Sequence, residues 1–599
     1  MKTPRTIALT FAAALVACGD DSSGNGTAGN GSGGNGVCGQ AEPTGGTLVD
    51  VSGVFEPCDA VVDAVSGTTY TVSATGQVGV DAGSEDLVLL EAQDTTAADF
   101  AWDNASVYFV MTDRFENGNP ANDNSYGRQV SPNSPDFGSW HGGDFAGLTS
   151  RLDYVAALGM DAIWISPPVE QIHGWVGGGS MGDFQHFAYH GYWAVDFTKL
   201  DANFGTEDEL RTLVREAHAR GIRVIFDVVL NHPGYASIAD LVDSLPEVLN
   251  PTHTRWLEPD VALAPGENWH SFNDAIQFGS NVNWINWWGP EWVRVADFPG
   301  HDDPGSDELT SQLASLPDFK TESEDFVGLP PVLTVKDDTR AEALSDATVR
   351  DYLVAWHTDW IRRFGIDGFR CDTAKHVELE TWTALKTAGT EALAAWRAEN
   401  PNDPLVGDTD FWMTGEAFPP VRDRDAYFPA GFDSLINFDF NRDAEDLIED
   451  FDELETYFAD LDALVNDDPD RNELTYASSH DTELFFGETG GDFEAQALMG
   501  TALMLSPGAV QVFYGEESGR APGPDSSDGE NPTRSDMNWD EHSQPENASL
   551  IDHWRTLGQF RKRHRSVGAG THTRIQVGAG AYAFSRTLGD DGVVVVMFE

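Results

Sequence analysis

Short, mostly apolar runs recur along the chain, separated by longer segments of helical period, and several of these runs stop at a carboxylate. Val224-Ile-Phe leads into Asp227-Val-Val-Leu-Asn231-His232. Ile366 to Arg370 leads into Cys371-Asp372-Thr-Ala-Lys375-His376. Phe411-Trp-Met leads into Thr414-Gly-Glu416-Ala, and Leu474-Thr-Tyr-Ala into Ser479-His480-Asp481-Thr. Continuous apolar runs of this length between turn signals suit strands buried on both faces. Four such strands with helical segments between them predict a (β/α)8 TIM barrel, an α/β fold whose site lies at the C-terminal ends of the strands.

The remaining pattern completes that frame. Val107-Tyr-Phe-Val-Met reads as the first strand, Ala162-Ile-Trp-Ile-Ser as the second, Gly431 to Phe440 as the sixth, and Ala509-Val-Gln-Val-Phe-Tyr-Gly-Glu as the eighth. Leu148 to Leu158, Asp208 to Arg220 and His553 to Arg563 have helical spacing, and Gly221 is placed to cap the second of these. Between the third and fourth strands lies a long insertion, about 233–337, rich in Trp and Asp and poor in regular signals. An insertion of that length at the active-site face is expected to be functional. Short β-type runs at Thr69-Tyr-Thr-Val and Leu87-Val-Leu-Leu predict a small N-terminal β-rich domain over 37–98. The barrel is expected over 99–568, and a short or partial C-terminal β segment over 569–599.

The N-terminus changes the picture from a plain globular protein. Lys2 and Arg5 precede a short apolar stretch, Ile7 to Val16, too brief to span a bilayer. Leu15-Val-Ala-Cys18 resembles a bacterial lipobox, so residues 1–18 read as a lipoprotein signal peptide with lipid attached at Cys18. The Gly-, Ser- and Asn-rich stretch 19–36 reads as a flexible tether. Cys38 and Cys58 are expected to form a disulfide in an oxidising compartment. The expected location is therefore periplasmic or cell-surface, anchored to a membrane.

Composition adds two constraints. Acidic residues number 99 against 35 basic ones, a net charge of −64, so nucleic acid and anionic membrane surfaces are poor partners and calcium is a good one. The 18 Trp residues serve cores, and also suit sugar-stacking subsites.

The candidate chemistry sits at the strand ends. Arg370 and Asp372, two apart on a strand, share a face. The neighbouring guanidinium is expected to keep Asp372 ionised at low pKa, as suits a nucleophile. Cys371 points the other way and is expected to be a buried free thiol. Asn117, Asn119, Asn122 and Asp123, on a turn-rich backbone, have the oxygen chemistry of a calcium loop.

Taken together, these stretches resemble the signature regions of the α-amylase family of retaining glycoside hydrolases, with Leu316-Pro317-Asp318 resembling a fifth. The likeness extends through His190-Gly-Tyr192-Trp193, Trp412-Met-Thr-Gly-Glu-Ala and Thr533-Arg-Ser-Asp-Met-Asn-Trp, from about residue 37 onward. It is strongest toward bacterial periplasmic members. The resemblance implies Asp372 as nucleophile, Glu416 as acid/base and Asp481 as transition-state stabiliser; the apolar neighbours Trp412, Met413 and Phe418 are expected to raise the Glu416 pKa by desolvation, as an acid requires. It implies substrate contacts from Arg370, His232, His480, His190, Tyr192, Trp193, Asp227, Lys375 and His376. The insertion 233–337 corresponds to domain B. A calcium ion between it and the barrel would take side-chain oxygens of Asn231 and Asp318 and the backbone carbonyl of His376. A second would add Gly142 and Asp144 to the Asn117–Asp123 loop. The expected activity is endo-hydrolysis of α-1,4 bonds in starch, glycogen or maltodextrins by a monomer. An α-glucan transglycosylase on the same fold is the alternative, separated by its products. A non-catalytic starch-binding lipoprotein is a third reading, which the intact set Asp372, Glu416 and Asp481 argues against.

Overall fold

The structure is a computed structural model that describes residues 43, 45–83, 85–95, 98–128, 137–405, 409–419, 424–466, 468, 470–529 and 531–599. The expected lipobox cysteine Cys18, the tether and Cys38 lie outside the described residues.

Eight parallel strands close a barrel: Ser106–Val110, Ala162–Ile165, Arg223–Val228, Gly368–Cys371, Trp412–Gly415, Ser434–Asn437, Glu473–Tyr476 and Ala509–Phe513. Each pairs with its sequence neighbour, and the last pairs with the first through Val510↔Ser106 to Phe513↔Phe109. All residues of the eight strands are buried, as continuous apolar runs demand when helices cover the outside and side chains fill the inside. Two boundaries differ from the sequence reading. The fourth strand begins at Gly368, not Ile366, and the sixth is only Ser434–Asn437, because Asn437 caps a helix that starts at Phe438 and takes over the segment read as strand.

The helix Val349–Phe364 shows how local chemistry aims the chain at the site. Thr348 and Asp351 form a reciprocal capping box at its start. It ends at Gly365 in the left-handed conformation (φ 79°), where an added Cβ would come within 2.5 Å of the Trp396 ring. No other residue fits that stop, and three residues later the fourth strand begins.

The two ends of the chain do not form two separate β units. Strands Ala60–Asp63, Thr69–Thr71 and Leu87–Ala92 join strands Thr571–Ile575, Ala581–Leu588 and Asp591–Phe598 in one six-stranded sheet, with Val594↔Leu90 to Met597↔Leu87 as the seam. Val61, Val88, Leu90, Val594 and Val596 bury a common core there. The sequence could not reveal this pairing, because neither half signals its partner across some 500 residues.

Beyond the second strand, in a glycine-rich stretch without a strand signal of its own, lies a further β feature. Trp175–Gly178 and Phe184–Phe187 form a β-hairpin, and Val169–Gln171 pairs with Ala194–Leu200. The insertion after the third strand is mostly short 3-10 turns, with one two-residue ladder, Val293–Arg294 against Asp318–Phe319. Among the described residues no helix is long and apolar enough to cross a membrane.

Candidate active site

Parallel register assembles the catalytic residues. Asp227 is level with Arg370, which is level with Thr414, and Cys371 is level with Gly415. Asp372 and Glu416 therefore each sit one residue past a paired position, on adjacent strands about 4.8 Å apart. The backbone beyond the ladder holds them there: Asp372 N–H donates to the Val228 carbonyl at 3.0 Å and Glu416 N–H to the Cys371 carbonyl at 3.0 Å.

Arg370 is the hub. Its Nη1 donates to Asp227 at 3.0 Å and to Asp372 Oδ1 at 2.8 Å, and its Nη2 lies 3.0 Å from Glu416 Oε2. Three carboxyls thus share one buried guanidinium. Asp227 is further held by the Tyr192 hydroxyl at 2.8 Å and the Trp164 indole N–H at 3.1 Å. Thr373 sits in the left-handed region (φ 48°), unusual for a β-branched residue, and its N–H donates to Glu416 Oε2 at 2.9 Å.

One cation cannot neutralise three carboxylates, and the proton affinities reflect this. Burial raises the Glu416 carboxyl to about 7, with Arg370 opposing and Asp372 and Asp481 reinforcing the rise. Burial raises Asp227 to about 8 despite Arg370. Asp372 is also raised, by burial and the Asp481 charge against the pull of Arg370. This corrects the expectation that the guanidinium holds Asp372 low: one Arg shared three ways does not outweigh burial. Asp481 goes the other way. Burial opposes its charge, but His480 at 3.0 Å, Arg534 Nη2 at 2.8 Å and Arg370 hold it well below the usual carboxylate range. Burial lowers His232 to about 4 and also lowers His190 and His480, so these imidazoles are neutral at pH 7.

The aromatic surround is built around these groups. Phe109 stacks on Trp164 at 3.8 Å, Tyr192 stacks on His480 at 5.2 Å, and His190 meets Trp193 edge-on at 4.4 Å. His190 Nδ1 accepts from the Tyr192 N–H at 3.1 Å. Trp412 does not desolvate Glu416 as expected; it stacks on Trp102 at 4.7 Å, at the entry end of the fifth strand. Phe418 is exposed and packs edge-on to Phe438. Lys375 Nζ lies 5.8 Å over the Phe418 ring, and His376 Nδ1 is 2.6 Å from the Glu308 carbonyl. Cys371 is a free, fully buried thiol, raised well above its ordinary pKa by burial.

A cavity of about 1000 Å³ opens above this cluster, lined by Asp372, Asp481, His190, Tyr192, Trp193, His232, His480 and Arg534. Arg534 was missed as a site residue; the stretch Thr533-Arg-Ser-Asp was seen, but nothing in it announces a partner for Asp481. Trp164 and Thr373 were missed as well, since an indole in a strand and a backbone N–H carry no sequence signal.

The oxygen donors expected around calcium fall into two groups. Asn117 Oδ1 and Asn122 Oδ1 are buried without a hydrogen-bond donor, beside Asp123, which accepts from Asn117 Nδ2 at 2.9 Å. A Cβ on Gly142 would lie 2.5 Å from Asn117 Nδ2, so that approach requires glycine. Asn119 N–H and Gly147 N–H both donate to Asp144, which caps the helix Phe145–Ala157. In the second group, Asn231 Oδ1 and Asp318 Oδ1 are buried and undonated, and Phe319 N–H donates to the Asn231 carbonyl at 2.9 Å. Asp318 Oδ2 is already paired with Arg294 at 2.6 Å. Undonated buried oxygens of this kind fit a hard cation. Among the described residues no three His, Cys, Asp or Glu side chains converge as a metal site, so the donors present are amides and carbonyls with one or two carboxylates in each group.

A closed parallel barrel with carboxyls gathered at its C-terminal mouth defines a glycoside-hydrolase-type site. The chain belongs to the α-amylase family: the model of the α-amylase catalytic domain matches residues 109–257 and 342–568. It is 48% identical over 559 residues to the periplasmic α-amylase of Escherichia coli (strain K12), covering 92% of this chain and 80% of that protein. It is 25% identical to a cyclomaltodextrinase of Geobacillus thermopakistaniensis, over 82% of this chain and 68% of that one. In fold it is similar to the α-amylase of Geobacillus thermoleovorans solved with acarbose, with a TM-score of 0.54 at 23% identity over 83% of this chain and 87% of that one.

Proposed function

We propose that the protein is an exported α-amylase that hydrolyses internal α-1,4-glucosidic bonds of starch, glycogen or maltodextrins with retention of anomeric configuration. The observation that carries this is the single Arg370 guanidinium gripping both Asp372 and Glu416 beneath the cavity. A retaining pair must be close, about 5–5.5 Å between carboxyls, because one attacks the carbon that the other's leaving group departs from.

In this reading Glu416, protonated near neutrality, donates its proton to the glycosidic oxygen as the bond breaks. The Asp372 carboxylate attacks the anomeric carbon and forms the glycosyl-enzyme. Glu416, now ionised, takes a proton from water, which attacks the same carbon and releases Asp372. Asp481 stays ionised throughout, as suits a group that stabilises developing positive charge. Asp227 and Tyr192 position Arg370, and the neutral imidazoles of His190, His232 and His480 bind sugar hydroxyls. Lys375, His376 and Phe418 serve the leaving-group side.

Calcium belongs to this reading as a structural ion. Asn231, Asp318 and the His376 carbonyl would hold it between barrel and insertion, and Asn117, Asn119, Asn122, Asp123, Gly142 and Asp144 would hold a second. The relative's periplasmic address supports export. Lipid anchoring through Cys18 is proposed from the lipobox-like Leu15-Val-Ala-Cys18, and the Cys38–Cys58 disulfide from two cysteines closing a short loop in an oxidising compartment; a monomeric state is the default proposal.

The test is incubation with soluble starch, followed by proton NMR, with Glu416→Gln as control. Early α-anomeric maltooligosaccharides, absent in the variant, support the reading. Cyclic or lengthened products would make the protein a transglycosylase, and bound but uncut starch would make it a binding protein.

A further inference from the structure

Backbone strain in this chain gathers at one place. Among the described residues eight other than glycine hold a positive φ, and four of them, Asp297, Ala314, Ser315 and Thr373, line the cavity above the catalytic cluster. The left-handed region crowds the Cβ of an L residue against its own backbone, so such residues persist only where something else holds them. Thr373 is accounted for, because its N–H reaches Glu416. The other three belong to the insertion.

Ala314 (φ 46°) and Ser315 (φ 66°) are the central residues of a tight turn, closed by the Leu316 N–H donating to the Leu313 carbonyl at 2.7 Å. Two consecutive positive φ values are the mark of a type I′ turn, which favours Asn-Gly and similar pairs. An alanine and a serine occupy it here, and neither is suited to it. Packing does not demand them: both are exposed, whereas Leu316, Pro317 and Asp318 directly after them are buried. The tie that holds the turn comes from outside it. The Tyr235 hydroxyl donates to the Ala314 carbonyl at 2.5 Å. Tyr235 lies just past the third strand, lines the same cavity, and meets the Trp193 ring edge-on at 4.9 Å. Trp193 in turn packs on His190. Ala296 N–H donates to the Gln312 side-chain oxygen at 3.3 Å, which joins the turn to the neighbouring strained position, Asp297. An unfavourable turn with two exposed side chains is therefore held against the cavity by a residue packed on the aromatic surround of the site.

We propose that this turn is a specificity-determining element: Ala314 and Ser315 contact a glucosyl unit of the bound α-glucan, and Tyr235 is the positioning residue that keeps them in the left-handed conformation. The inference rests on the hydrolytic reading above and deepens it. None of the three touches the catalytic carboxyls in the proposed reaction.

The experiment uses the full chain, with maltoheptaose as the probe. Ala314→Asn/Ser315→Gly gives the turn a pair that its backbone favours and so relieves the strain. This variant should match or exceed the wild-type melting temperature, while its KM for maltoheptaose rises several-fold and kcat stays within about a factor of two. A lower melting temperature, or an unchanged KM, would overturn the proposal and leave the turn a surface connection. Tyr235→Phe should raise KM by a similar factor in the native turn and have no further effect in the relieved one, because it acts through the turn. An equal effect in both backgrounds would overturn its positioning role. Calorimetric titration of maltoheptaose into the same variants carrying Glu416→Gln reads affinity without turnover. Weaker binding there, together with no sugar release by the wild type, would support the turn and overturn the hydrolytic reading; equal binding throughout would overturn the turn whether or not the protein cuts starch.

Discussion

The barrel mouth holds two groups of buried acids that look alike and do different work. Around Arg370 gather Asp227, Asp372 and Glu416; just past the eighth strand lie Glu516 and Glu517. Glu516 is raised to about 8 by burial, a larger rise than that of Glu416. Glu517 is raised too, although the hydroxyls of Tyr108 and Tyr154 donate to it at 2.7 Å each. A perturbed acid is a common mark of a catalytic site, yet here the more perturbed one has no place in the chemistry proposed. The difference is access and company. Asp372 reaches a cavity of about 1000 Å³, and its partner acid rests on the same guanidinium. Glu516 Oε2 accepts from the Phe513 N–H at 2.8 Å and tethers the turn that follows the strand.

The sharpest way to break this contrast is Glu416→Gln. Losing the acid should lower kcat/KM on starch by about 10²–10⁴-fold with the melting temperature little changed, measured by reducing-sugar release and thermal unfolding. Retention of wild-type turnover would remove Glu416 from the reaction. The pH profile comes next in size. Glu416 must be protonated to donate, and its carboxyl stands at about 7. Activity should therefore fall about tenfold per pH unit above that value, while Asp481 stays ionised across the range. A profile flat to pH 9 would contradict the assignment.

Much of this was legible in the chain, and for a physical reason. Strands buried on both faces are mostly apolar, and a site at their ends must then switch to polar residues. That switch marks Asp227, Arg370–Asp372, Glu416 and Asp481 in one dimension. What failed to show is whatever depends on distant pairing. Arg534 meets Asp481 from 53 residues away. The hairpin at Trp175 gave no strand signal because its strands are only four residues each and half glycine on one side. Trp412, read as a neighbour of Glu416, lies at the other end of its strand, since four residues of extended chain span roughly 13 Å. The sign of the Asp372 shift was missed because the sequence shows one Arg beside one Asp, not three carboxyls around one Arg.

The calcium proposal gives a mid-sized effect. An ion held by the undonated oxygens of Asn231 and Asp318, or of Asn117 and Asn122, should stabilise the folded chain by about 2.7 kcal/mol at a concentration 100-fold above Kd. Chelation should lower the melting temperature by several degrees. Asn231→Ala and Asn122→Ala should each remove part of the calcium response. A melting temperature indifferent to chelator would mean that both oxygen groups are served by water alone.

The smallest effect belongs to the second acid group, and it completes the contrast. Glu516→Gln should leave kcat and KM on starch unchanged, because the carboxyl touches no substrate path in the proposed reaction. Its signature is in stability. A carboxyl whose folded pKa is raised from the ordinary 4.5 to about 8 favours the folded state most when protonated, at pH below 4.5. That contribution is lost progressively as pH rises through about 8, where the native state must hold a buried charge. The amide cannot ionise, so the variant should lose less stability than the wild type between pH 5 and pH 9, and melting curves at several pH values would read this directly. A parallel decline in both proteins would mean that Glu516 is ionised throughout, with the loop charge of Arg520 sufficient to hold it. A fall in kcat would be the more instructive failure, because it would connect the tether after the eighth strand to the catalytic cluster through Ser478, which lies between Glu516 and the segment carrying His480 and Asp481.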